Sequence, residues 1–175
     1  IDGFRIDWPE YPPYSYESLF FDFSVPAMRV ASRKGYATTA MRRDAQRLFL
    51  DLRGGFGATL VAAVLEAGPA AALPLLNAYP GITELLRFKA ELVRDLLAAY
   101  RDAVPPGMKL VAQAFPPPWC LASGFDYAAA GAIVQGVAMK LYTMHWPVMA
   151  ASYAGALVRT GVTEERAVAA VLAVL

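Results

Sequence analysis

Two apolar spacings alternate along the chain. Segments near residues 1 to 8, 108 to 115 and 136 to 143 carry short apolar runs or period-two alternation, the spacing of strands. Between and after them lie longer stripes at helical spacing. Met41, Ala45, Leu48, Phe49 and Leu52 form one stripe, with Thr38 or Thr39 as its cap and an end near Arg53, where Gly54, Gly55 and Gly57 are expected to break the helix. Residues 58 to 79 predict one or two short apolar helices divided at Gly68-Pro69.

The clearest helix runs from Thr83 to Val104. Leu85, Phe88, Leu92, Val93, Leu96 and Leu97 share one face, while Glu84, Arg87, Lys89, Glu91, Arg94 and Asp95 supply the wet sides. Pro105-Pro106-Gly107 stops it and the strand at 108 follows. A helix of this length can cross back over a sheet, so the step predicts parallel strands with right-handed crossovers. Further helices are expected within 124 to 135, from Trp146-Pro147 to about Arg159, and after Thr163. The aromatic stretch SYESLFFDFS, residues 15 to 24, reads as a loop with one helical turn.

The first strand carries the densest chemistry. DGFRIDWPEYP ends in two carboxylates, Asp7 and Glu10, and two rings, Trp8 and Tyr11, closed by prolines. In strand geometry Arg5 and Asp7 share one face while Phe4 and Ile6 share the other. Acids that act on a glycosidic oxygen, together with rings that stack on sugars, make such a strand end suited to carbohydrate. The competing reading has Asp7 capping a turn, Arg5 neutralising it and the rings in the core.

This segment resembles two groups of barrel glycosidases. The family 18 chitinases carry DGxDxDxE followed by Tyr-Pro, and Asp2, Gly3, Phe4, Ile6, Asp7, Trp8, Tyr11 and Pro12 fit that string. Arg5 stands in place of the middle aspartate, and Pro9 delays the glutamate by one place, to Glu10. The alpha-amylase superfamily has Gly-Phe-Arg-Ile-Asp, which Gly3 to Asp7 match without a gap; its next catalytic strand offers a glutamic acid, where this chain has Gln113. A second patch, VAMKLYTMHW at 137 to 146, is similar to the family 18 strand that reads roughly Met-Thr-Tyr-Asp-Met-His. Tyr142, Met144 and His145 fall in register there, with Lys140 and Thr143 replacing the methionine and the aspartate.

The resemblance implies an α/β fold, part of a (β/α)8 TIM barrel with parallel strands and outer helices, and a glycoside hydrolase-like activity on an oligo- or polysaccharide. A complete barrel of this kind needs roughly 200 to 250 residues. The chain has 175 and begins inside a strand, so the expectation is a fragment: one partial barrel domain with a helical insertion at about 37 to 80.

Within that frame Glu10 is the expected proton donor, with Trp8, Tyr11 and Tyr14 as its apolar wall. Asp7 stays ionised beside Arg5 or Lys140 and either stabilises oxocarbenium charge or attacks as the nucleophile. Gln113 and Tyr142 are candidates for holding hydroxyls, and Trp119 and Trp146 for stacking a ring. His145 is a further candidate for substrate contact and reads more readily as a strand-end residue than as a metal ligand. A carbohydrate-binding barrel without catalysis, or a barrel enzyme of another chemistry, would use the same scaffold.

Composition narrows the rest. Formal net charge is +1 with 18% charged residues, which gives neither nucleic acid nor an anionic membrane surface an electrostatic handle. Mean hydropathy is high at +0.38, yet Glu66, Pro69, Pro74 and Asp126 interrupt the most apolar stretches, so no membrane span is expected. The glycines at 54 to 57 lack the preceding strand and following Lys-Ser or Lys-Thr of a phosphate loop. No grouping has metal-ligand spacing and no cofactor is implied. The lone Cys120 forbids an internal disulfide and leaves compartment and oligomeric state open.

Overall fold

The computed structural model describes residues 2–175. Three strands, β1 (Gly3–Ile6), β2 (Lys109–Ala114) and β3 (Gly136–Met139), form one sheet in the order β1-β2-β3, and both pairings are parallel. The three segments with strand spacing are therefore the sheet, and the α/β class with parallel strands stands. Nine α-helices occupy the described residues: α1 (Val25–Arg33), α2 (Thr38–Asp51), α3 (Gly57–Ala67), α4 (Ala72–Leu76), α5 (Pro80–Ala103), α6 (Trp119–Ser123), α7 (Tyr127–Gly131), α8 (His145–Val158) and α9 (Glu164–Val174).

The chain divides into two compact units. One holds the residues up to Pro13 with Leu86–Tyr142; the other holds Tyr14–Leu85 with Thr143–Leu175. The helical insertion expected at about 37 to 80 lies inside the second unit, which also takes in α1, α8 and α9.

In the sheet unit, alternation along β2 sorts its side chains. Leu110, Ala112 and Ala114 are fully buried against Val93 and Leu97 of α5 and against Cys120, Phe125, Ala130 and Val134. Val111 and Gln113 take the opposite face, in register with Arg5 and Ala138 respectively. Small residues at 112 and 114 let this helical layer approach the sheet closely. Gln135 fixes the β2–β3 register: its amide N–H donates to the Leu110 carbonyl (2.9 Å), and its side-chain oxygen accepts from Leu110 N (2.7 Å) and Arg101 Nη1 (2.9 Å). Gly124 has φ +80°, and a Cβ there would stand 2.8 Å from the Lys89 backbone carbon, so conformation and space both require glycine.

In the helical unit, Val61 and Val64 of α3 pack with Ala154 of α8 and with Val162, Ala167 and Ala170 around α9. The glycines after α2 break the helix as expected: Gly55, at φ 107° and ψ −11°, is non-helical, and the chain kinks there before α3 begins at Gly57. Counted together across that kink, Thr38–Ala67 is long and apolar enough to cross a membrane, by length and composition only. Thr38 is the first helical residue rather than the cap, and Thr163 occupies the cap position of α9 with no side-chain capping bond. Helix α1, where no element was expected, starts on a bonded N-cap, Ser24, with proline in its first turn.

The start of α5 is held by α2. Asp44, 1% exposed, accepts from Gly81 N (2.7 Å) and Arg43 Nε (2.7 Å), which satisfies an amide that a helix N-terminus would leave open. Next to it Tyr79 Oη donates to Asp51 Oδ2 (2.6 Å), and the Arg47 guanidinium lies over the Tyr79 ring. The Arg43 hydrogen bond holds the Asp44 carboxyl below the usual carboxylate range, helped by the Gly81 N–H and opposed by burial. A lowered folded-state pKa contributes stability that is present above the unfolded value of about 4 and is lost as pH falls through the folded value. Asp44→Asn should therefore flatten the fall in stability below about pH 4, measured by urea denaturation across the acid range; an unchanged acid slope would remove Asp44 from the account.

Candidate functional site at the strand ends

The three strands end at one cluster. Asp7 follows β1, Phe115 follows β2 and Lys140 follows β3, and Glu10 enters from the turn after β1. The Lys140 ammonium lies 3.1 Å from Glu10 Oε1 and 3.9 Å from Asp7 Oδ1, 4.0 Å above the Trp8 ring centroid and 4.9 Å from that of Phe115. Its side chain is completely buried, as is that of Glu10; that of Asp7 is 60% exposed. Asp7 thus meets Lys140, one of the two cations expected beside it, while Arg5 lies exposed on the sheet face.

Glu10 is saturated. Besides Lys140 it accepts from Phe115 N (2.9 Å) at Oε1 and from the Ser123 hydroxyl (2.5 Å) at Oε2. Tyr127 Oη closes the far side by donating to the Phe115 carbonyl (2.9 Å), and burial pushes that phenol up to about 12. Burial, and then the Glu10 charge, also raise the Cys120 thiol, which keeps it protonated and non-nucleophilic at neutral pH. A carboxylate with three donors and no exposed surface has no path to a glycosidic oxygen. The proton-donor role expected for Glu10 is replaced by an anchoring one.

The cause is local. Pro9 adds one residue between Trp8 and Glu10, and Trp8 turns the chain with φ 75°, a conformation that a bulky L-residue rarely adopts. That turn aims Glu10 inward, toward Ser123 at the end of α6. It also leaves the Trp8 ring 39% exposed with Lys140 beneath it, set edge-on to Phe115 (centroids 6.1 Å apart).

The other candidates separate into groups. Gln113 and Tyr142 come together on the exposed side, where Tyr142 Oη donates to Gln113 Oε1 (3.4 Å). Tyr11 packs partly into the core and takes the Lys89 ammonium over its ring at 5.3 Å. Trp119 is buried at the start of α6 and offers no open face for a sugar ring. His145 and Trp146 belong to the helical unit, where His145 begins α8 and meets Tyr14 edge-on; it is a helix-start residue rather than the strand-end residue expected. Tyr14, expected in the wall around Glu10, also lies in that unit. Ser123 and the Phe115 amide were not foreseen, since neither residue type carries a signal for binding a carboxylate.

A cleft of about 210 Å³ runs along the other side of the Trp8 turn, lined by Trp8, Pro9, Tyr11, Leu92 and Leu96 among others. Glu10 belongs to its lining, but the Glu10 side chain is buried, and the remaining walls are mostly apolar, with few groups to meet sugar hydroxyls. The strand-end face of Asp7, Trp8, Gln113 and Tyr142 is the better candidate. Among the described residues no group of three or more His, Cys, Asp or Glu could hold a metal ion. No family model, curated protein or solved structure matches the chain.

The buried pair yields a measurable coupling. Removing one partner of a buried ion pair costs about 3–5 kcal/mol, because the other charge is left uncompensated. Glu10→Gln and Lys140→Met should each lower unfolding stability by that order, whereas Glu10→Gln with Lys140→Met should cost less than the sum of the singles. Strict additivity in denaturant titrations would show that the pair does not act as a unit.

Proposed function

We propose that the strand-end face binds carbohydrate in a glycoside hydrolase-like manner, with Asp7 as the carboxylate that meets the sugar, and that the parallel sheet is part of a (β/α)8 barrel. The observation that carries this reading is the exposed Asp7 carboxylate beside the partly exposed Trp8 ring, at the C-terminal end of a parallel strand. Active sites of barrel enzymes occupy that end. Gln113 and Tyr142 add an amide and a hydroxyl on the same side of the sheet unit. The Lys140 ammonium lies 3.9 Å from the Asp7 carboxylate, which suits a nucleophile or a stabiliser of oxocarbenium charge held in place beside a cation.

The match of Gly3 to Asp7 with the amylase-type strand end, together with the removal of Glu10 from reach, moves the weight from a Glu10 acid to an Asp7 nucleophile. Hydrolysis on that plan needs a second carboxyl about 5–5.5 Å away for retention, or about 6.5–9.5 Å away for inversion. Burial of Glu10 favours a second reading, a carbohydrate-binding face without turnover.

The two readings part in one experiment on the full chain with chitin, glucan and galactan oligosaccharides. Hydrolysis predicts turnover that Asp7→Asn lowers by about 10³-fold while binding persists. Binding without catalysis predicts wild-type affinity by calorimetry, no turnover, and about a tenfold loss of affinity in Gln113→Ala. Absence of both binding and turnover with all three sugars would overturn the proposal.

A further inference from the structure

The helical unit contains a cavity of about 280 Å³ that plays no part in the strand-end site. Its wall is largely apolar, with Leu52, Ala156, Leu157 and the Tyr16 ring, and it carries three charged side chains, Glu17, Arg53 and Arg159. Arg159 Nη2 is paired with Glu17 Oε1 at 3.4 Å. Arg53 makes no ion pair among the described residues; its guanidinium lies 4.7 Å from the centroid of the Phe49 ring, which in turn stacks on Tyr16 at 5.8 Å. The Tyr16 hydroxyl is buried with no hydrogen-bond partner. Buried polar atoms are nearly always satisfied, and an orphaned one points to a group that completes it.

Leu52 and Arg53 reach the cavity from the end of α2, just before the kink at Gly55. Burial raises the Tyr16 phenol to about 12, against the opposing pull of Arg53, so at neutral pH it offers a proton to an acceptor. Two guanidinium groups and one carboxylate leave the cavity with a net single positive charge. One planar cation and one hydroxyl donor suit a carboxylate, which takes a guanidinium through two parallel hydrogen bonds, and a single charge is neutralised by a monoanion.

We propose that this cavity binds a small monocarboxylate with an apolar body, its carboxylate on Arg53 and Tyr16 and its hydrocarbon against Leu52, Ala156 and Leu157. The proposal is independent of the carbohydrate reading, since its residues all lie in the other unit.

The test is calorimetric titration of the full chain at neutral pH with 4-methylpentanoate and 3-phenylpropanoate, each beside the alcohol of the same skeleton, and with inorganic phosphate. The carboxylates should bind with Kd of about 0.1–1 mM, as expected for ligands of this size, and the alcohols at least about tenfold more weakly. Arg53→Gln should weaken the carboxylates by about tenfold or more and Tyr16→Phe by about fivefold, while Glu17→Gln should tighten them about two- to threefold by raising the local positive charge. Far-UV circular dichroism checks that each variant is folded; if Arg53→Gln is not, the opposite effects of Tyr16→Phe and Glu17→Gln decide. Alcohols binding as well as carboxylates, phosphate binding better than either, an unaltered Kd in Arg53→Gln, or no binding at 10 mM of either carboxylate, about tenfold above the expected range, would each overturn the proposal.

Discussion

One buried ion pair ties the sheet unit together. Glu10 takes the amide at the end of β2, the ammonium at the end of β3 and the hydroxyl of Ser123 in α6, and it belongs to the turn that leaves β1. All three strand ends are thus connected through one carboxylate. Isolated charges of this kind are costly to desolvate, and the cost is offset only because every oxygen and the ammonium have partners of good geometry. The arrangement does more for specificity than for stability: a slip of one residue in either strand pairing would strand a charge in the core. It also frees Asp7, since Lys140 gives its closest contact to Glu10 and only a 3.9 Å approach to Asp7.

The helical unit uses a different device. The core among α3, α8 and α9 is built from valine and alanine, small side chains that allow these helices to approach one another closely. Its polar knot lies at the N-terminus of α5, where two aspartates of α2 hold Gly81 and Tyr79. Both units place a buried carboxylate where backbone amides or hydroxyls would otherwise lack partners.

Much of this could be read from the chain because the signals were periodic. The alternation through 109–114, the stripe of α5 and the proline-glycine stop at 105 to 107 are local and mutually consistent, so the parallel β2 and its crossover followed. The pairing of Lys140 with the first strand's carboxylates was accessible for the same reason: a cation at an inward strand end needs an anion. The fate of Glu10 was hidden, because it depends on Trp8 adopting a left-handed backbone that no propensity favours for tryptophan. Trp119, His145 and Trp146 were misplaced on similar grounds. Their residue types suit sugar contacts, but burial, and membership of one unit or the other, are properties of the tertiary fold. The glycines at 54 to 57 read as a stop and act as one, because Gly55 takes a positive φ through which a helix does not continue.

The glycine kink after α2 sets the phase between two helices. At about 100° per residue, the buried positions of α3, Gly57, Val61 and Val64, fall about half a turn away from those of α2, Met41, Ala45 and Leu48, if the segment is counted as unbroken α-helix. It is not unbroken: Gly55, at φ 107°, interrupts the helix and lets the second one start in a phase of its own. The Gly54-Gly55 step therefore works as an indexing joint whose residue count matters more than its flexibility. Removing one residue there would leave both helices intact yet turn one apolar face away from its partners, the helical counterpart of a frame error.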